Sequence, residues 1–161
     1  MGPEIRKLVA EDHQPVVDLS LRAWEPVFAS IEHALAGSGV YPQLFPDWRE
    51  DQRRAVLDVC SDAGMHVWVA ELDAVVVGFA ATRLHDDGFT GEIYMLAVDP
   101  DHQRRGVGAA LTSFSTRWIA DQGMSVALVE TGGDPGHAPA RRVYERAGYT
   151  PLPAVRYYKK L

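Results

Sequence analysis

Gly91-Glu-Ile-Tyr-Met-Leu-Ala-Val-Asp-Pro-Asp-His-Gln-Arg-Arg-Gly-Val-Gly-Ala-Ala-Leu111 is the stretch on which the rest of the chain can be placed. It opens with an apolar run, Ile93 to Val98, whose residues suit a buried strand. Asp99-Pro100 stops that strand, because proline has no N–H to give to a ladder. Gln103, Arg104, Arg105, Gly106, Val107 and Gly108 follow, and then Val107, Leu111, Phe114 and Trp118 recur at helical spacing. The local order is strand, glycine-bearing turn, helix.

That order has a physical use. The first turn of a helix carries unpaired main-chain N–H groups and the positive end of the macrodipole. Glycines let an anion approach the backbone there, and two arginines add charge. The turn should therefore hold a phosphate or pyrophosphate. Two familiar phosphate motifs do not fit. A P-loop needs Gly-Lys-Ser/Thr after four spacer residues, and no lysine stands there. The dinucleotide fingerprint needs a third glycine where this chain has Leu111.

What the stretch resembles is the Gln/Arg-x-x-Gly-x-Gly/Ala motif of the GNAT superfamily, the acyl-CoA-dependent N-acyltransferases. Gln103-Arg104-Arg105-Gly106-Val107-Gly108 fits it at every defined position, behind a Leu-Ala-Val-Asp-Pro strand end. A second segment, Ala140-Arg-Arg-Val-Tyr-Glu-Arg-Ala-Gly-Tyr149, resembles the superfamily's Asn-x-x-Ala-x-x-Phe-Tyr-Glu-x-x-Gly-Phe pattern, with His137 where asparagine is frequent.

The totals agree with one soluble domain, residues 1–161, large enough to bury roughly two-thirds of its unfolded-chain surface. Hydrophobic residues make up 47% and charged residues 24%, ordinary values for a globular protein. One cysteine, Cys60, excludes an internal disulfide and a cysteine-built metal site, and suits a reducing compartment. No apolar run approaches the ~20 residues of a membrane helix, and Met1 to Lys7 lacks a hydrophobic signal core, so the expected location is the cytoplasm. Net charge is −6 but uneven. Residues 1–90 hold 7 Lys/Arg against 15 Asp/Glu, and residues 91–161 hold 9 against 7. The phosphate-binding turn lies in the basic half. The acidic half suits a cationic amine, or is simply a set of solvated acidic helices. No basic stripe with interleaved aromatics speaks for nucleic acid. The six histidines lack ligand spacing, so no metal site is expected.

Outward from the opening stretch, strands are expected at 4–9, 66–72, 75–84, 92–98 and 125–130, with closing strands at 149–152 and 155–160. Asp73-Ala74 is read as a tight hairpin. Helices are expected from 11 to Pro26, from 48 to about 63 behind an Asp47 cap, from 106 to 121 and from 138 to 147. Phe28, Ile31 and Leu35 can share a further helical face, and 41–46 reads as a loop. The order β-α-α-β-β-β-α-β-α-β-β is α+β, with a mostly antiparallel mixed sheet flanked by helices. It is also the GNAT order.

The resemblance implies acetyl transfer from acetyl-CoA to a primary amine, with roles for particular residues. N–H groups across Arg104, Arg105, Gly106, Val107, Gly108 and Ala109 would bind the coenzyme A pyrophosphate. The main chain of Leu96, Ala97 and Val98 would pair with the pantetheine arm, and one N–H there would polarise the thioester carbonyl. Tyr144 would protonate the thiolate leaving group, and His137 would hydrogen-bond pantetheine or water, or be an exposed loop residue. Glu92 would act as base through water; Glu130 or bulk solvent are alternatives. An acceptor pocket would form from 24–48 and the 155–158 strand, with Trp24, Phe28, Tyr41, Phe45, Trp48, Tyr157 and Tyr158 as aromatic surface and Glu32 and His33 near the amine. The acceptor is expected to be a small molecule; a protein N-terminus or lysine, or a non-catalytic acyl-CoA-binding role, are the competing readings. Homodimers are common in the superfamily, and no sequence feature decides that point.

Overall fold

The computed structural model describes residues 1–161. Five strands form one sheet in the order β1 (Glu4–Lys7), β2 (His66–Leu72), β3 (Val75–Leu84), β4 (Thr90–Val98) and β5 (Val126–Val129). The first three pairings are antiparallel and β4–β5 is parallel. Helices α1 (His13–Ala34), α2 (Tyr41–Leu44) and α3 (Trp48–Ser61) precede the β2–β3 hairpin. Helix α4 (Val107–Asp121) joins β4 to β5, and α5 (Ala138–Arg146) follows β5.

The hairpin forms for the reason anticipated. Asp73 and Ala74 both take positive φ, 51° and 61°, as a two-residue turn of the twist-matching kind requires. On one face of the sheet, Val16, Val17 and Leu19 of α1 and Val56 and Val59 of α3 pack on Val69, Phe79, Ala81 and Ala97. On the other, Val107 and Leu111 of α4 pack on Ala70, Val77, Ala80 and Val98. Each fully buried side chain such as Phe79 or Leu111 stabilises the fold by roughly 1.5–3 kcal/mol. Gly91 lets α4 lie against β4, because a Cβ there would collide with Ile119. The Arg6 guanidinium donates to Asp12 at 2.7 and 2.9 Å and to Glu71 at 2.5 and 3.1 Å. It pins the start of α1 to the sheet and holds the Asp12 carboxyl below its ordinary range.

Three expectations need correction. The first helix does not stop at Pro26 but continues to Ala34. The lost hydrogen bond is outweighed by contacts beyond it, among them Phe28 stacked on Trp48 at 4.4 Å. Residues 41–44 are a short helical turn rather than loop. The closing strands at 149–152 and 155–160 do not form within the chain. Pro151 and Pro153 give no ladder donors, and Leu152, Val155 and Tyr157 are exposed instead of packed.

Candidate active site

Strand β4 is where the site begins. Its first four residues, Thr90 to Ile93, pair with β3 on one side and with β5 on the other. Tyr94 is then left out of the β3 register, since Thr82 faces Ile93 and Ala81 faces Met95. Beyond this bulge β5 has ended, so Met95 to Val98 pair with β3 alone. A bulge redirects a strand and opens its neighbour's edge. The result is a main-chain edge over Leu96, Ala97 and Val98 that has no neighbouring strand and is open to an extended ligand.

That edge runs into the start of α4. Asp99 ends the strand and accepts from the Asp101 N–H at 2.9 Å. Gln103 Nε2 reaches back to the Val98 carbonyl at 3.3 Å, so its side chain folds the turn onto the strand. Arg104 takes φ +59° and Gly106 φ +82°, two left-handed residues in three. Gly106 accommodates that at no steric cost, whereas Arg104 is a strained position of the sort concentrated at ligand sites. Helical bonding starts with Ala110 N–H to the Gly106 carbonyl at 2.9 Å. The N–H groups just before it are the donors a helix leaves unmatched. Gly108 has space for a Cβ at ordinary contact distance, 3.7 Å from Val98 and 3.8 Å from Val143, in keeping with the Gly/Ala choice of the motif. Ala109 faces solvent.

Charge is arranged to match. Arg104 and Arg105 are exposed and pair with no carboxylate, while the one buried acid of the turn, Asp99, is taken up by Arg22 at 2.6 Å and by His102 at 3.3 Å. An anion arriving at the turn meets free cations and a neutralised aspartate. These donors fit a diphosphate.

Helix α5 closes the corner, for Val143 stands against Gly108 and the next residue is Tyr144. Tyr144 is 8% exposed. Burial, with neighbouring Tyr149 in second place, pushes its phenol up to about 12, so it stays protonated through the neutral range. The nearby Tyr149 hydroxyl is engaged with Thr116 Oγ1 at 2.6 Å. The Tyr144 hydroxyl has no such partner and is free to donate.

Two further groups lie on the α1 side of the sheet. Arg83 follows Phe79 and Ala81 on the face that α1 covers, and its Nε donates to Glu92 Oε2 at 2.7 Å. His85 Nε2 meets the same oxygen at 2.7 Å. Glu92 is buried although it stands near the start of its strand: it is 5% exposed. Both partners use one oxygen, which leaves Oε1 for another contact. Glu130 is exposed at the end of β5.

The loop after β5 is equally organised. Asp134 Oδ1 pairs with His137 Nδ1, and Asp134 Oδ2 accepts from Ser30 Oγ at 2.6 Å and from the Gly136 N–H at 3.0 Å. Burial alone would raise the Asp134 carboxyl, but the bonds from Ser30 and His137 outweigh it and hold it below the usual range. Arg141 adds bonds to the Gly132 and Asp134 carbonyls at 2.5 and 2.8 Å. A side chain on Gly132 would strike the His137 ring. His137 is thus half-buried and fixed through Nδ1, not a loose loop residue.

The aromatic residues of 24–48 divide. Trp24 packs edge-on to core Phe79, whereas Phe28, Phe45, Tyr41 and Trp48 form a cluster beside α2. Glu32 lines a shallow hollow of about 390 Å³ with Leu35 and Tyr41. Tyr157 is exposed and stands apart, and Tyr158 rests near Val40, Gln43 and Leu44. Reasoning from sequence did not find Arg22, Ser30, Arg83, His85, Asp134 or Arg141. Only Asp134, three residues before His137 in Asp-Pro-Gly-His, left a local trace.

The chain is similar to known acetyltransferases. A mycothiol acetyltransferase from Streptomyces coelicolor is 38% identical over 82 residues, 51% of this chain and 26% of that protein. One from Amycolatopsis mediterranei is 30% identical over 159 residues, 92% of this chain and 46% of that protein. The chain thus spans about a quarter to a half of the curated relatives it matches. A GNAT-family acetyltransferase structure from Desulfovibrio desulfuricans superposes with a TM-score of 0.66 at 25% identity, covering 92% of this chain and 85% of that one. Residues 28–149, from the aromatic end of α1 to the tyrosine after α5, match the acetyltransferase (GNAT) family. That match takes in more than half of the chain, and the chain belongs to the family.

Proposed function

We propose that residues 1–161 form a single acyltransferase domain that moves an acetyl group from acetyl-CoA to the primary amine of a small molecule, by direct attack with both substrates bound. The observation that carries this reading is the open edge of β4 running into the first turn of α4, against which α5, the helix that carries Tyr144, packs at Gly108. The cosubstrate supplies an activated thioester. In this proposal Arg104 to Ala109 bind its diphosphate, with Gly106, Val107 and Gly108 giving main-chain N–H groups and Arg104 and Arg105 giving charge. Leu96, Ala97 and Val98 receive the pantetheine arm on the open edge, and an N–H there stabilises charge on the carbonyl oxygen.

Tyr144 serves the departing sulfur. A phenol near about 12 lies well above an alkyl thiol at ~8.5, so complete proton transfer in the ground state costs on the order of 5 kcal/mol. Tyr144 therefore acts first as a hydrogen-bond donor to the developing thiolate. Glu92 is the proposed acceptor of the amine proton, through water at Oε1, with Arg83 and His85 fixing the carboxylate. His137, aimed by Asp134, is proposed to bond pantetheine or an ordered water. An acyl-cysteine route has little support. Burial of Cys60, with Asp12 adding to it, raises the thiol to about 11 and leaves it a poor nucleophile. The relatives' name, mycothiol acetyltransferase, favours a small-molecule acceptor over a protein. We place the activity in the cytoplasm; no helix is long and apolar enough to cross a membrane.

The test is thiol release from acetyl-CoA against a panel of small amines, run beside a direct measurement of coenzyme A binding. Turnover on at least one amine, lowered on the order of 100-fold by Tyr144→Phe, is the expected result. Tight coenzyme A binding with no turnover on any amine would instead identify an acyl-CoA-binding module.

A further inference from the structure

Three arginines are half-buried in the fold, and they spend their donors differently. Arg6 gives both terminal nitrogens to Asp12 and Glu71. Arg141 gives one to the Gly132 and Asp134 carbonyls. Arg83 gives Nε alone, to Glu92 Oε2 at 2.7 Å. Its Nη1 and Nη2 make no hydrogen bond within the chain, and its side chain is 40% exposed. The plane of the guanidinium is nonetheless fixed, because its central carbon lies 4.3 Å from the centre of the Tyr94 ring. An arginine anchored at two points and free at its terminal fork is organised to receive a planar anion. The fork matches a carboxylate through two parallel N–H···O bonds. Holding Glu92 does not require the fork, since His85 Nε2 meets the same glutamate oxygen at 2.7 Å.

The place of this fork matters as much as its donors. Arg83 faces Glu92 across the β3–β4 register, and Tyr94, on which it stacks, is the bulged residue where the open edge of β4 begins. The turn from Arg104 to Ala109 lies at the other end of that edge. An acyl chain running from the turn along Val98, Ala97 and Leu96 brings its thioester toward Tyr94. There it meets the fork of Arg83 and the free Oε1 of Glu92. Because Arg83 Nε touches the other oxygen of that carboxylate, the free fork and the free oxygen are only a few ångströms apart. A cation-binding atom and an anion-binding pair at that spacing suit a ligand that carries both charges close together.

We propose that the acceptor is an amine that also bears a nearby carboxylate, an α- or β-amino acid, and that Arg83 selects it by binding that carboxylate through Nη1 and Nη2. The inference rests on the acetyl-transfer reading above and names its acceptor class. With the carboxylate on Arg83, the amine stands beside Glu92 Oε1. Its nitrogen forms the amide bond to the acetyl carbon as the carbon–sulfur bond breaks. The amine proton passes through water to Glu92, and coenzyme A leaves as a thiolate that Tyr144 hydrogen-bonds.

The protein amino acids and β-alanine, each beside its carboxamide and its decarboxylated amine, test it. Thiol release from acetyl-CoA gives the kinetics, and calorimetry gives binding to the coenzyme A complex. At least one acid is expected to show kcat/KM at least ~10-fold above its carboxamide and its amine. Arg83→Met is expected to erase that preference. Should Arg83→Met fail to fold, Arg83→Lys keeps a counter-charge for Glu92 without the planar fork. It is expected to raise KM for the acid at least ~10-fold while KM for the carboxamide moves less than ~2-fold. Carboxamides or plain amines used as well as the acids overturn the proposal and leave acetyl transfer standing. So does a fall in kcat for every acceptor with the acid preference intact, which makes Arg83 a support for Glu92 alone. If no amine releases thiol, the transfer reading fails, and calorimetry decides: acids bound in preference to carboxamides, and lost with Arg83→Lys, uphold the carboxylate site, whereas no such preference overturns it.

Discussion

The two halves of β4 teach different lessons. Thr90 to Ile93 is held by strands on both sides and carries a buried, doubly bonded glutamate. Met95 to Val98 is held on one side only and keeps its other edge for a ligand. A single bulged residue, Tyr94, separates them. The paired half provides rigidity and the open half provides recognition, so substitutions in the two should fail in different ways: chemistry and stability on one side, cosubstrate affinity on the other.

The largest effect is expected at Tyr144, on the helix that packs against Gly108. Tyr144→Phe should lower kcat on the order of 100-fold or more, with coenzyme A affinity and melting temperature close to wild type, as steady-state kinetics and calorimetry would show. Since burial holds this phenol near about 12, its ionisation should not cut the wild-type rate anywhere below about pH 11. A fall centred near pH 10 that vanishes in Tyr144→Phe would mean that the hydroxyl is far better solvated than described.

The paired half comes second. Glu92→Gln keeps the shape but removes the anion between Arg83 and His85. It should cost about 1–3 kcal/mol of stability and lower the rate roughly 10- to 100-fold at neutral pH. The deficit should shrink at alkaline pH, where more of the amine is already deprotonated. An unchanged pH–rate profile would remove Glu92 from the mechanism and leave it a purely structural ion-pair partner.

Gly108→Val addresses the open half directly. There is room for one carbon beside Val98 and Val143, but a branched side chain must project into the approach to the turn. Coenzyme A should bind at least ~10-fold more weakly by titration calorimetry, a loss of ~1.4 kcal/mol. The rate at saturation should change little. The smallest effect belongs to the loop after β5, which is tied to α1 through Ser30. Asp134→Asn releases His137 and weakens the tie to Ser30, and should reduce kcat several-fold. A drop in melting temperature with unaltered kcat would make Asp134 a loop staple and nothing more.

What could be read from the sequence was the part written in local signals. The Asp73-Ala74 hairpin, the Asp47 cap and the strand–turn–helix around Gln103 to Gly108 each depend on residues a few positions apart, and each formed. Helix α1 ran past Pro26 because packing by Phe28 on Phe45 and Trp48 outweighed one missing hydrogen bond, a balance that spacing does not reveal. The segment 149–160 has strand-forming residues but no strand within the chain, since strand propensity needs a neighbouring edge to act on. Motif spacing was enough to nominate Tyr144 and the turn from Gln103 to Gly108 as candidates. The partners of Glu92 were not, because they depend on the register between β3 and β4. Ser30 and Asp134 are 104 positions apart, a contact that no local pattern announces.

The most direct test of the central claim is residue-resolved amide exchange of the labelled chain with and without coenzyme A. The account predicts slowed exchange or marked shifts at residues 104–109 and 96–98, with the far side of the sheet at β1 unchanged. Protection elsewhere, while the amides from Arg104 to Ala109 remain as they are in the free protein, would contradict it.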